Sequence, residues 1–118
     1  MANILVVDDE LTSIAILKKV LIDAGHNVTT VSEPQSALEK TMQYKYDIML
    51  TDFNMPNMNG IEFLTTVKKI TPQSSRIMLT GFANIQTSID AVNEGNVFRF
   101  LTKPIRSDYL IKAIQDGL

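Results

Sequence analysis

Five short apolar runs rich in β-branched residues recur along the chain: ILVV (4–7), VTTV (28–31), DIMLT (47–51), RIMLT (76–80) and VFRFL (97–101). Runs of this length and composition predict strands. Between them the period changes. Ile14, Leu17, Leu21 and Ala24; Ala37, Leu38 and Met42; Phe63, Leu64, Val67 and Ile70; Ile85, Ile89 and Val92; and finally Leu110, Ile111 and Ile114 stand at helical spacing. Each set lays an apolar stripe along one helix face. Ser32, Asn84 and Ser107 are the expected N-caps, Pro34 suits a first turn, and Gly25 and Gly95 stand where helices would stop.

Strands joined by helices of this length must run parallel, and strands that read as continuous apolar runs are covered on both faces. The pattern therefore predicts an α/β fold, a three-layer, doubly wound sheet of five parallel strands. VTTV is the least apolar run and is expected at an edge.

Composition narrows the picture. A chain of 118 residues that is 45% hydrophobic suits one compact domain, residues 1–118, with a single domain's worth of core. A formal charge of −2 with eleven scattered Lys and Arg argues against nucleic acid as a direct partner. No cysteine is present, so disulfides, thiolate metal sites and thiol nucleophiles are excluded, and a reducing, cytoplasmic setting is expected. No stretch approaches the roughly 20 apolar residues that span a bilayer, so a soluble protein without a membrane partner is expected.

One stretch breaks the economy of the pattern. ILVVDDE (4–10) ends a buried run by crowding three acids together. Two carboxylates about 4 Å apart repel by roughly 4 kcal/mol at an effective dielectric near 20, so a compensating cation is expected. In a doubly wound sheet, ligands bind outside the carboxyl ends of the strands. There the first strand delivers Asp8, Asp9 and Glu10, the third Asp52, the fourth Thr80 and Gly81, and the fifth Lys103 and Pro104. Taken singly, each has an ordinary explanation: turn or cap acids, a loop-opening Asp, a strand Thr, a Lys reaching into water. Together they place three carboxylates, a hydroxyl and an ammonium at one rim. Carboxylates without His or Cys make a hard oxygen site suited to Mg²⁺ or Mn²⁺. One carboxylate then remains as a nucleophile toward phosphorus, with the ammonium and hydroxyl to meet the phosphoryl oxygens. Phosphoryl transfer onto an Asp is the chemistry implied.

These residues carry a resemblance. VVDDE, DFNMPNMNG (52–60), TG (80–81) and FLTKP (100–104) resemble, in order and spacing, the motifs of the receiver domain of two-component response regulators. The resemblance covers essentially the whole chain. It implies a flavodoxin-like sheet in the order 2-1-3-4-5 and Asp52 as the phosphoacceptor. Asp8, Asp9 and Asp52 would hold Mg²⁺ with the backbone carbonyl of Asn54, Thr80 and Lys103 would contact the phosphoryl group, and Phe100 would match the aromatic switch position. Asn54 and Phe82 would flank the path of hydrolytic water, and a cis peptide would join Lys103 to Pro104. The implied donor is a sensor histidine kinase or phosphotransfer protein, and the implied recipient of the signal a downstream effector domain or protein. The domain would not be an enzyme beyond catalysing its own phosphorylation and dephosphorylation. EGNVFRFLTKP (94–104) lacks the family's frequent small-residue pair, places Phe98 and Arg99 near a surface receivers commonly use for signalling, and is similar to receivers attached to HD-GYP modules. The 14 residues after Pro104 are short for the family's last helix and tail, so an excised domain is expected.

Two other classes share parts of this pattern. A haloacid-dehalogenase-like phosphatase also uses an Asp nucleophile with Mg²⁺, but wants a second Asp where this chain has Asn54. A flavodoxin-like electron carrier wants a hydroxyl-rich phosphate loop where this chain has DDEL. A receiver degenerated into a binding module would lack the complete set of acids, Thr and Lys. His26 is expected to be a solvated loop residue, Met55 and Met58 to cover apolar surface, and Lys18, Lys19, Lys68 and Lys69 to be solvated.

Overall fold

The computed structural model describes residues 2–55, 58–81, 85–93 and 97–118. Strands and helices alternate throughout: β1 (Asn3–Val7), α1 (Leu11–Asp23), β2 (Asn27–Val31), α2 (Pro34–Gln43), β3 (Ile48–Asp52), α3 (Gly60–Ile70), β4 (Ser75–Thr80), α4 (Ile85–Asn93), β5 (Arg99–Thr102) and α5 (Ser107–Gly117). All ladders are parallel and the sheet runs β2-β1-β3-β4-β5, with VTTV at an edge as expected.

Strand order and handedness set the layers. The first crossover moves from β1 to one edge, and the next three move the opposite way. Right-handed crossovers therefore put α1 on one face and α2, α3 and α4 on the other. Period-two alternation sorts the core accordingly. Ile4, Val6, Ile48, Leu50, Ile77 and Leu79 pack with Leu17 and Leu21 of α1 and Leu110, Ala113 and Ile114 of α5. Leu5, Val7, Met49 and Met78 face Ala37 and Leu38 of α2 and Phe63, Leu64 and Val67 of α3. Each large aliphatic side chain so buried contributes about 1.5–3 kcal/mol. Among the described residues no helix is long and apolar enough to cross a membrane.

The helix starts differ from expectation in two places. Glu33, not Ser32, is the N-cap of α2, because Pro34 at the first helical position forces its predecessor into extended backbone. Ser107 is the first residue of α5; Arg106 stands at the N-cap position without capping an amide, and its guanidinium pairs with Asp108 in the first turn. Asn84 and Gly95 lie outside the described residues. Gly25 does end α1: its φ of +93° lets the amide of His26 reach the carbonyl of Leu21 at 3.1 Å, closing the helix end in a left-handed turn.

His26 corrects an expectation. It is half-buried instead of solvated, and its Nδ1 accepts the amide of Ala2 at 3.0 Å, fastening the start of β1 to the end of α1. Burial lowers its pKa below the usual 6.5. The folded chain thus binds fewer protons there than the unfolded chain, so this tie is intact above about pH 6.5 and is lost as pH falls below it. Thermal midpoints from pH 7.5 to 5.5 should fall further for the parent than for His26→Gln, by the equivalent of about 1 kcal/mol. Parallel curves would show that His26 carries no pH-dependent stability.

Candidate functional site

The sheet reverses its winding between β1 and β3, so a crevice opens where those strands end. Each ladder continues just past its last regular residue there. The amide of Asp8 donates to the carbonyl of Val31 at 3.2 Å, that of Phe53 to Leu79 at 2.9 Å, and that of Lys103 to Thr80 at 2.9 Å. Asp8, Asp52 and Lys103 are thereby carried on sheet backbone rather than on free loops.

Carboxylate oxygens of Asp8, Asp9 and Asp52 lie within 4.8 Å of one another. Asp8 is fully buried, Asp52 nearly so, and Asp9 faces solvent. Lys103 Nζ stands 3.2 Å from Asp52 Oδ1 and 3.6 Å from Asp8 Oδ2, across a peptide to Pro104 that is cis. Asp8 Oδ1 accepts the amide of Glu10 at 2.9 Å, so the turn role that an isolated Asp would have is also real. Its other oxygen finds no hydrogen-bond donor among the described residues.

Burial raises the pKa of Asp8; the Glu10 amide and Lys103 pull the other way without prevailing, and the charges of Asp52 and Asp9 add to the rise. The pKa of Lys103 is raised as well, which for an ammonium favours the charged form. Burial would lower its pKa, but Asp52 and Asp8 outweigh it and hold the ammonium charged. One ammonium thus faces three carboxylates. An orphaned buried oxygen and an all-oxygen donor set fit a hard divalent cation, with Asp8, Asp9 and Asp52 as its carboxylates.

Thr80 is fully buried and its hydroxyl donates to the carbonyl of Gly81 at 3.2 Å. Phe100 pairs in register with Met78 one strand away and packs half-buried on the α3 side of the sheet. Asn54 is exposed. Phe82 lies outside the described residues. Phe98 is 41% exposed, and Arg99 is held to α5 through Asp116 at 2.8 Å.

Two supports escape a reading of the sequence. Thr51, fully buried beneath Asp52, donates to the Asp52 carbonyl at 3.2 Å. Gly60 opens α3 so close to β3 that its amide reaches the Phe53 carbonyl at 2.7 Å, while Asn59 caps the helix by accepting the amide of Glu62 at 2.9 Å. The N-x-x-E spacing of Asn59 and Glu62 was a legible signal for that start. Thr51 gave none, since a Thr ends both IMLT runs.

The profile of the response regulator receiver domain matches residues 4–115. The chain belongs to that family. The receiver is 32% identical over 117 residues to the hydrogenase transcriptional regulatory protein HoxA of Cupriavidus necator, covering 99% of this chain and 24% of that protein. It superposes with a TM-score of 0.93 on a response regulator receiver domain protein from Clostridium thermocellum, at 34% identity over 99% of this chain and 94% of that one. Against the chemotaxis response regulator CheY4 of Vibrio cholerae the TM-score is 0.90 at 29% identity, covering 100% and 99%. The receiver spans about a quarter of the length of the curated relatives it matches. As a family member it is a phosphorylation-dependent signalling switch rather than a classical enzyme, which sets the phosphatase and electron-carrier readings aside.

Proposed function

We propose that Asp52 is the phosphoacceptor of this receiver and that the chain catalyses its own phosphorylation. The supporting observation is the convergence of the Asp8, Asp9 and Asp52 oxygens with Lys103 at 3.2 Å from Asp52. An oxygen of Asp52 attacks phosphorus in a phosphohistidine of a sensor histidine kinase or phosphotransfer protein; the P–O bond forms, the P–N bond breaks, and the imidazole leaves. Lys103 releases its grip on the carboxylate and neutralises a phosphoryl oxygen. The Thr80 hydroxyl exchanges the Gly81 carbonyl for the phosphoryl group, and Phe100 repacks into the space that Thr80 leaves. Bound Mg²⁺, held by Asp8, Asp9, Asp52 and the Asn54 carbonyl, would offset the charge gathered at the rim. Asn54 and Phe82 govern how readily water reaches the acyl phosphate. The whole domain, residues 1–118, acts as the input to an effector domain or protein.

Incubation with acetyl phosphate and Mg²⁺ should add one phosphoryl group to the intact mass, and Asp52→Asn should add none. Equal labelling of both chains removes Asp52 from the role.

A further inference from the structure

The five methionines among the described residues differ sharply in setting. Met49 and Met78 are fully buried, Met42 is 71% exposed, and Met55 and Met58 lie half-buried against the α3-side core. Met55 has one further property. Its Sδ lies 3.5 Å from Thr51 Oγ1, which donates to it, and among the described residues no other methionine sulfur has such a partner. The same hydroxyl lies 3.2 Å from the carbonyl oxygen of Asp52. The single proton of this buried hydroxyl is therefore shared between the Met55 sulfur and the backbone that carries the Asp52 carboxylate, bridging residues 51–55 in a small ring.

That ring is built for a thioether. Divalent sulfur is a weak acceptor and packs as an apolar group. A sulfoxide is branched, polar and a strong acceptor, so it draws the Thr51 hydroxyl away from the Asp52 carbonyl and leaves the apolar contact. Both changes fall on the backbone from Asp52 to Asn54.

We infer that Met55 is an oxidative modification site, at which a hydroperoxide converts the thioether to a sulfoxide and thereby lowers the capacity of Asp52 to accept phosphate. The sulfur lone pair attacks one peroxide oxygen. The S–O bond forms as the O–O bond breaks, the sulfur is oxidised by two electrons, and hydrogen peroxide is reduced to water. Partial exposure opens Met55 to this reaction, whereas Met49 and Met78 are closed to it. The step is reversible by methionine sulfoxide reductases. Its effect on signalling rests on Asp52 as phosphoacceptor.

The test is graded hydrogen peroxide treatment of the full chain, with sulfoxide measured at each methionine by peptide mass and Asp52 labelled afterwards with acetyl phosphate and Mg²⁺. Met42, the more exposed, should oxidise first and without effect. Labelling should then fall by about fivefold in proportion to Met55 sulfoxide, the rate equivalent of one lost hydrogen bond. Sulfoxide reductase should restore it, Met55→Leu should resist the same dose, and Met42→Leu should not. In chelator, Met55 sulfoxide should also lower the thermal midpoint, a readout independent of phosphate. Met55 staying reduced while Met42 is fully oxidised, full labelling of the Met55 sulfoxide, or equal loss in Met55→Leu each overturns the inference. If Met55→Leu does not fold, the site-resolved correlation in the parent decides. An untreated chain that takes no phosphate on Asp52 overturns the phosphoacceptor reading instead, and the midpoint in chelator still tests the modification.

Discussion

Asp8→Asn is expected to melt higher than the parent in chelator and to lose most of the stabilisation that Mg²⁺ gives. Asp8 is fully buried, one of its oxygens lacks a hydrogen-bond donor among the described residues, and its raised pKa means that folding disfavours the ionised form. Asparagine keeps the oxygen that accepts the Glu10 amide and removes the charge. For a domain of this size each kcal/mol of relief corresponds to roughly 3–6 °C. The sign can be checked by pH. A raised carboxyl pKa contributes stability that is present below the unfolded value of 3.8 and lost as pH rises through the folded value, so the advantage of the variant should shrink on acidification. Saturating Mg²⁺ at a hundredfold excess over its dissociation constant should give the parent about 2.7 kcal/mol, most of which the variant should lack. A variant that melts lower in chelator would show that the buried charge of Asp8 costs nothing, and one that gains as much from Mg²⁺ would show that Asp8 is no ligand.

Gly60→Ala should act in the opposite direction. A Cβ there would lie 2.6 Å from the carbonyl oxygen of Asp52 and 3.0 Å from Cα of Phe53, both backbone atoms with no rotamer to yield. Either the start of α3 retreats and loses its 2.7 Å bond to Phe53, or the end of β3 moves and takes Asp52 with it. Overpacking of this kind costs about 1–3 kcal/mol. Helix propensity alone predicts up to about 1 kcal/mol of gain from the same change, so the sign discriminates. The expected result is a lower midpoint together with slower labelling of Asp52. A midpoint equal to or above the parent's would mean that the contact has room to relax.

The sheet and its covering helices were legible because their signal is repetitive: short continuous apolar runs such as Ile4–Val7 and a period near four such as Phe63–Val67 each recur along the chain. The rim was legible because Asp8, Asp52, Thr80 and Lys103 follow directly from strands whose ends the pattern already placed. Cap residues were harder. Ser32 is a good cap in isolation, and only the restriction that Pro34 puts on Glu33 moves the boundary. His26 was misjudged because its partner is an amide 24 residues away, and long-range backbone contacts leave no local mark. Thr51 supports Asp52 by donating to its carbonyl oxygen, and Gly60 lets α3 pass close to that oxygen while its amide bonds Phe53; nothing in a string of side chains announces which carbonyl another residue will approach.

The bonds that extend the sheet by one residue at Asp8, Phe53 and Lys103 have a consequence for engineering. They divide the molecule into a frame, which fixes where the charges stand, and connecting segments, which begin only after those residues. The segments can then be exchanged between relatives to alter partners or signal lifetime while the frame keeps its spacing, whereas a change beneath Leu79 or Thr80 would displace Phe53 and Lys103 together, because both are anchored to consecutive carbonyls of one strand.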